Sequence, residues 1–331
     1  MKEKCLIVGL GRIGLEYDID KIGDPEIVLT HAKAFSLHPN FDLVGAVDPS
    51  SVKRNLFKLK YKKPTYSILQ KALIELKPSL IIISTSTDKH FEILNEILAN
   101  SHPKIIICEK PLAYDIDEAE KMVKLCNNYK VRLVVNYMRR SDPGTQIIKK
   151  MIETGEFPIP IKGVVWYSKG LIHNGSHFYN ILDYLLGPIK NARIINPGRL
   201  WDKIDPEPDF EVDFSGGKII FLSASEEAFS HYTIELISKT GRISYEQGGE
   251  CIKFQKVIED ATFSGYKVLD ENEILIENKM NVYQLNVVNQ IDEMLKNNNY
   301  FLCSGEDALR TLKDLDFIIK KISYETRESC N

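Results

Sequence analysis

The apolar run that opens the chain, CLIV at 5–8, passes directly into Gly9-Leu10-Gly11-Arg12-Ile13-Gly14. A buried strand that ends in three glycines at this spacing turns sharply and sends a helix back close over itself. Such a glycine pattern is weak evidence alone, because glycine clusters occur in many turns. Its setting adds weight: it follows a strand, and Asp48 ends the next strand-like run, DLVGAVD at 42–48. Strand, glycine turn, helix, strand and acidic residue make up the dinucleotide-binding fingerprint. Gly9 then serves the tight turn, Gly11 the approach of a pyrophosphate and Gly14 the helix–strand contact, with Arg12 and Ile13 between them.

Aliphatic runs recur through the first half, at 5–11, 42–48, 80–86, 104–110 and 132–137. They are almost continuously apolar, as parallel strands covered on both faces should be. Segments 49–61, 67–77, 88–100 and 115–129 between them carry helical spacing, with Thr87 or Asp88 and then Asp115 as candidate caps. The expected fold class is α/β, a parallel sheet with helices on both faces.

Asp48 is expected to accept both adenosine ribose hydroxyls and to repel a 2′-phosphate, so NAD is the expected cofactor and NADP the lesser one. Lys53 and Arg54 follow closely and partly offset that preference. The spacing holds an anomaly: 34 positions separate Gly14 from Asp48, where roughly 20 are usual. The excess lies at 15–30 and reads as a surface loop near the cofactor cleft. Asp18, Asp20 and Gly23 faintly suggest a calcium loop, but Ile22 and Leu29 stand where ligands should be.

A net charge of −3, with 27% charged residues, argues against nucleic-acid and anionic-membrane partners. No apolar run approaches the ~20 residues that span a bilayer. The six cysteines are scattered without a C-x-x-C pair, which suits reduced thiols in the cytoplasm.

CEKPL at 108–112 ends the fourth of these runs, and strand ends of an open α/β sheet face the ligand. LIHNGSHFYN at 171–180 places His173 and His177 four apart, which on one helix would share a face. A zinc site is disfavoured, since no Glu follows His173 as in H-E-x-x-H. From the glycine turn, STSTDKH (84–90), Glu109-Lys110-Pro111, NYMRRSDP (136–143), GSHFYNILDYLLG (175–187) and SGEDALRTL (304–312), the chain resembles the Gfo/Idh/MocA family of nicotinamide-dependent sugar oxidoreductases. The resemblance implies cofactor contacts at Ser84, Thr85, His90, Glu109 and Lys110. It also matches His177 and Gly175 to the family's Asp-x-Gly-x-His-x-x-Asp pattern, with His173 and Asn180 where the two Asp residues stand.

Oxidising a secondary alcohol requires loss of a hydroxyl proton as hydride leaves carbon. An imidazole with an ordinary pKa near ~6.5 suits that at neutral pH, and an ammonium beside the oxygen stabilises its developing charge. His177 is therefore the expected acid/base and Lys110 the donor to the reacting oxygen, with His173 sharing proton transfer or contacting substrate. Arg139, Arg140, Lys169 and Asn180 are further candidate substrate contacts, and an arginine pair suits a phosphate or carboxylate. Trp166 and Tyr167 read as core or as a ring for sugar stacking.

Beyond a helix ending near Gly155, alternating strands with turns at SGGK (215–218) and KTGR (239–242) imply an antiparallel sheet, and helices at 281–298 and 305–323 close the chain. The expected domains are 1–138, dinucleotide-binding, and 139–331, α+β, binding substrate. The resemblance implies a homodimer or homotetramer through that second sheet. The expected activity is hydride transfer between NAD(P) and a secondary hydroxyl or keto group of a sugar, phosphorylated and nucleotide-linked sugars included. An NAD-dependent glycosidase and a non-catalytic dinucleotide sensor remain as alternatives.

Overall fold

The computed structural model describes residues 2–19, 26–224, 229–297 and 300–328, with side chains to 322. The first half builds β1 (Glu3–Val8), α1 (His31–Leu37), β2 (Phe41–Val47), α2 (Ser51–Tyr61), β3 (Thr65–Tyr66), α3 (Leu69–Leu76), β4 (Leu80–Ile83), α4 (His90–Asn100), β5 (Ile105–Cys108), α5 (Ile116–Asn128) and β6 (Arg132–Val135). Each expected strand is present but stops one to three residues short of the expected end. β4 and β5 are buried at every residue, which is why their sequences show no alternation. Asp115 caps α5, accepting the Glu118 N–H. Neither Thr87 nor Asp88 caps α4; they form a 3-10 turn, Thr87–Lys89, that leads into it.

The second half adds α6 (Pro143–Thr154), β7 (Ile161–Tyr167), a π-helical turn (Gly170–Gly175), α7 (Ser176–Leu186), β8 (Ile189–Trp201), β9 (Asp205–Phe214), β10 (Gly217–Ser223), β11 (Thr233–Ser238), β12 (Gly241–Glu246), β13 (Cys251–Glu259), β14 (Lys267–Leu269) and β15 (Ile274–Leu275). Among the described residues they form a nine-stranded sheet, ordered β14-β13-β12-β11-β7-β10-β9-β8 with β15 on β13. It is antiparallel except for β7 beside β10. β8, its longest strand, is not evident in the sequence: Asn-Pro-Gly at 196–198 breaks the alternation, and the strand accommodates it with register shifts.

The chain then closes with α8 (Tyr283–Asn297), β16 (Cys303–Ser304) and α9 (Gly305–Glu328). β16 pairs antiparallel with β6 and completes a seven-stranded sheet, β16-β6-β5-β4-β1-β2-β3, otherwise parallel. The division into compact units is therefore not linear. One unit is Met1–Ser141 with Asn281–Arg310, the other Asp142–Met280 with Thr311–Asn331, where the sequence suggested one boundary after residue 138. Val287, Val288, Ile291 and Met294 of α8 join the core under β1. An amphipathic helix does not disclose which sheet it will cover, so its pattern could not reveal this return.

The segment 15–30 also differs from a surface loop. Asp20 and Gly23 lie outside the described residues, but Leu15, Asp18, Val28 and Thr30 are buried. The His31 and Ala32 N–H groups donate to the Ile13 and Gly14 carbonyls, so α1 follows the glycine turn as though nothing intervened. Asp18 closes the neck: its carboxylate accepts from the Leu29 and Thr30 N–H groups and, at 2.6 Å, from Thr30 Oγ1. Asp18→Ala leaves these buried donors without an acceptor and should lower unfolding free energy by about 1–3 kcal/mol in urea titrations; an unchanged midpoint would mean the neck holds without it.

Candidate functional site

At the carboxyl end of β1, Gly9 takes a φ of +100°, and a Cβ there would lie 2.6 Å from the Ser84 carbonyl oxygen. Ser84 Oγ donates to Gly9 O at 2.8 Å and locks the turn to the end of β4. A Cβ on Gly14 would collide with Gly9 O, whereas one on Gly11 would meet nothing within 4 Å. The turn is thus packed tightly against the sheet at two glycines and open at the third, the side from which a pyrophosphate can reach backbone N–H groups. Arg12 is exposed and Ile13 partly so.

Asp48 lies beside this turn. Its Oδ2 accepts the Leu10 N–H at 2.7 Å and its Oδ1 the Ser50 N–H at 2.8 Å. Each oxygen retains a lone pair for a ribose hydroxyl. Arg54 does not face such a ligand; its Nη1 donates to the Asp48 and Pro49 carbonyls at 2.7 and 2.8 Å. The residues present fit a dinucleotide with unmodified ribose hydroxyls.

Glu109, at the end of β5, is the centre of a buried network. Its Oε1 lies 2.7 Å from His31 Nε2 and accepts from Asn136 Nδ2 at 2.6 Å. Asn136 Nδ2 also reaches Gln284 Oε1, at 3.4 Å. Burial pushes the Glu109 carboxyl up, but the His31 and Asn136 hydrogen bonds and the charges of His31 and Lys110 outweigh it and hold it below the usual carboxylate range. Lys110, next in sequence, is half-buried. His31, Asn136 and Gln284 were not singled out from sequence. The segment 15–30 had hidden His31, although Thr30 caps α1 by accepting the Lys33 N–H.

Several expected contacts have internal partners instead. His90 is fully buried, with Nδ1 3.1 Å from Leu112 O and Nε2 3.3 Å from Thr85 O, and so ties together the ends of β4 and β5. Thr85 itself is half-buried. Arg140 is 3% exposed and donates to Asp307 Oδ2 at 2.9 Å. Asp307 also exchanges hydrogen bonds with Ser304 in a capping box that starts α9. The two arginines therefore do not act as a matched pair, because Arg139 is half-buried while Arg140 is committed to Asp307.

In the second unit, His173 and His177 do not share one helical face. His173 is exposed in the π-helical turn, whereas His177 is 7% exposed in the first turn of α7. The His173 ring stacks on Trp201 with centroids 4.9 Å apart. Asp205 and Glu207 of β9 hold this turn: Asp205 accepts the Ile172 and His173 N–H groups at 3.0 and 2.7 Å, and Glu207 the Gly170 N–H at 3.0 Å. Burial pushes the Asp205 carboxyl up against the opposing pull of these backbone donors. Prolines flanking Glu207 masked the start of this strand in the sequence. Lys169 precedes the turn with a φ of +66°. Asn180 is buried and donates to Thr311 Oγ1 at 2.9 Å. Tyr167 belongs to the core, its hydroxyl donating to Pro208 O, while Trp166 on the opposite face is exposed. Among the described residues, no group of three His, Cys, Asp or Glu side chains is placed to hold a metal ion, and no helix is long and apolar enough to cross a membrane.

Residues 3–137 match the family described as "Oxidoreductase family, NAD-binding Rossmann fold", GFO_IDH_MocA. The first domain belongs to the Gfo/Idh/MocA oxidoreductases. Among curated relatives, scyllo-inositol 2-dehydrogenase (NAD(+)) of Bacillus subtilis is 29% identical over 204 residues, covering 56% of this chain and 54% of that protein. The chain thus spans about half of that relative. Inositol 2-dehydrogenase of Rhizobium meliloti is 22% identical over 93% of this chain and 97% of its own length. Among solved structures, an NAD-binding oxidoreductase from Klebsiella pneumoniae superposes with a TM-score of 0.78 at 13% identity, covering 97% of each chain. The WlbA dehydrogenase of Bordetella pertussis, in complex with NADH and UDP-GlcNAcA, gives 0.72 at 17% identity over 98% of this chain and 96% of that one. These structures share the fold of this chain over nearly its whole length.

Asp48 should make NAD the tighter ligand. Asp48→Ser should narrow or reverse the preference in fluorescence titrations with NAD and NADP; equal wild-type affinities would contradict the ribose assignment.

Proposed function

We propose that the protein is an NAD-dependent dehydrogenase or reductase acting on a secondary hydroxyl or keto group of an uncharged sugar or cyclic polyol. The observation that carries this reading is the convergence at one edge of the first sheet. There the carboxyl ends of β1, β2, β4 and β5 bring together the glycine turn, Asp48, Ser84 and Glu109-Lys110. Ligands bind outside the carboxyl ends of strands in such sheets. The inositol dehydrogenases among the relatives support a polyol. The engagement of Arg140 with Asp307 favours an uncharged substrate over a phosphorylated one, since it removes one member of the expected anion clamp.

Bound NAD supplies the hydride acceptor. We assign His177 the removal of the hydroxyl proton, and Lys110 a hydrogen bond to the oxygen as it becomes a carbonyl. Glu109, held by His31 and Asn136, fixes the chain beside Lys110. His173, exposed and backed by Trp201, is assigned a substrate contact. We also propose self-association through the outer face of the nine-stranded sheet, where Trp166 and Ile237 are exposed. A cytoplasmic location is consistent with the free thiols of Cys5, Cys108, Cys126, Cys251 and Cys303.

Purified protein incubated with NAD and a panel of inositols, sugars, sugar phosphates and nucleotide sugars should reduce NAD with an inositol or free sugar. Glycoside cleavage without net reduction would indicate a glycosidase, and cofactor binding with neither outcome a sensor. His177→Ala and Lys110→Met should each lower kcat by ~10²–10⁴. His173→Ala should raise KM with little change in kcat, because a contact made equally in ground and transition states leaves turnover alone. A kcat loss matching that of His177→Ala would instead make the two imidazoles one proton-transfer unit. Light scattering should give at least twice the 37.8 kDa chain mass, and Ile237→Lys should reduce it; a monomeric wild type would contradict the interface.

A further inference from the structure

We propose that Glu16, in the neck of the 15–30 segment, is a second determinant of cofactor choice, acting by holding the Lys53 ammonium away from a 2′-phosphate. The inference rests on the placement of the adenosine ribose at Asp48. Beside that carboxylate, the first turn of α2 carries the two cations that follow it in sequence, Lys53 and Arg54. A bound 2′-phosphate would be a dianion next to Asp48 and would need at least one of them. Both have other partners. Arg54 donates to the Asp48 and Pro49 carbonyls, and Lys53 Nζ lies 3.4 Å from Glu16 Oε1.

Glu16 is held where it can do this. It begins a 3-10 turn, Glu16–Asp18, between buried Leu15 and buried Asp18. The Glu16 N–H donates to Gly11 O, which ties it to the phosphate-facing turn itself. Further along α2, Lys60 Nζ donates to Asp18 O at 2.9 Å. The neck thus runs along α2 with two lysines engaged, and Glu16 opposes the helix that starts beside Asp48. Glu16 therefore acts against NADP through Lys53, by occupying the ammonium that a 2′-phosphate would need.

The Lys53 and Glu16 side chains are 33% and 37% exposed, so the pair is screened by water and its effect is modest and salt-sensitive. NAD and NADP titrations monitored by protein fluorescence at low salt would test the idea on wild type, Glu16→Gln, Lys53→Gln and the double variant, with circular dichroism confirming the fold of each. Glu16→Gln should raise the NADP-to-NAD affinity ratio about threefold or more. The gain should shrink as salt rises and should vanish in the double variant, because Lys53 is the cation released. An unchanged ratio in Glu16→Gln, or a gain that survives loss of Lys53, would overturn the proposal. The two levels of the argument separate cleanly. If wild type shows no preference for NAD, the ribose placement at Asp48 fails. If Asp48→Ser relaxes the preference and Glu16→Gln does not, only the role of Glu16 fails.

Discussion

The hydrogen bond from the Leu10 N–H to the Asp48 carboxylate is the contact on which the first domain's chemistry depends. It joins the glycine turn after β1 to the end of β2, and Ser84 Oγ ties the same turn to β4. Parallel pairing along β1 and its neighbours brings these groups to one edge. The glycines then matter for opposite reasons. Gly9 and Gly14 are crowded by backbone, while Gly11 faces open space. A turn held on two sides and open on the third would need little further ordering to receive a pyrophosphate.

From that turn the chain departs at 15–30 and returns to the same place. Asp18 closes the excursion, and the backbone bonds of His31 and Ala32 to Ile13 and Gly14 restore the helix that the glycine turn requires. Long insertions are tolerated when their ends are already close, because loop closure costs grow slowly with length. The return also delivers His31 to Glu109. A buried carboxylate is stable only with such partners, and Glu109 has His31 and Asn136 as well as the charge of Lys110.

Much of the first domain was legible because continuous aliphatic runs, a fixed glycine spacing and a terminal Asp each have few structural solutions. Lys53 and Arg54 illustrate the limit: as letters they counted equally toward binding a phosphate, and only geometry showed one bonded to carbonyls and the other to Glu16. Arg140 and Asn180 carry the same lesson, since a long-range partner such as Asp307 or Thr311 leaves no trace in local pattern. The histidine spacing was misleading in a different way. Four residues imply one face only in an uninterrupted α-helix, and a π-helical turn places His173 and His177 in different surroundings. In the second domain the hairpins at 215–218 and 239–242 stood out through their turns, whereas β8 and the start of β9 were hidden by proline and glycine.

Backbone amide hydrogen exchange, followed by mass spectrometry with and without NAD, tests the central claim that this strand-end edge binds the dinucleotide. Slowed exchange should concentrate in the glycine turn at 10–14, with a second protected stretch at 48–53 after β2. Exchange at 10–14 that is unchanged by saturating NAD, or protection confined to other segments, would contradict the account.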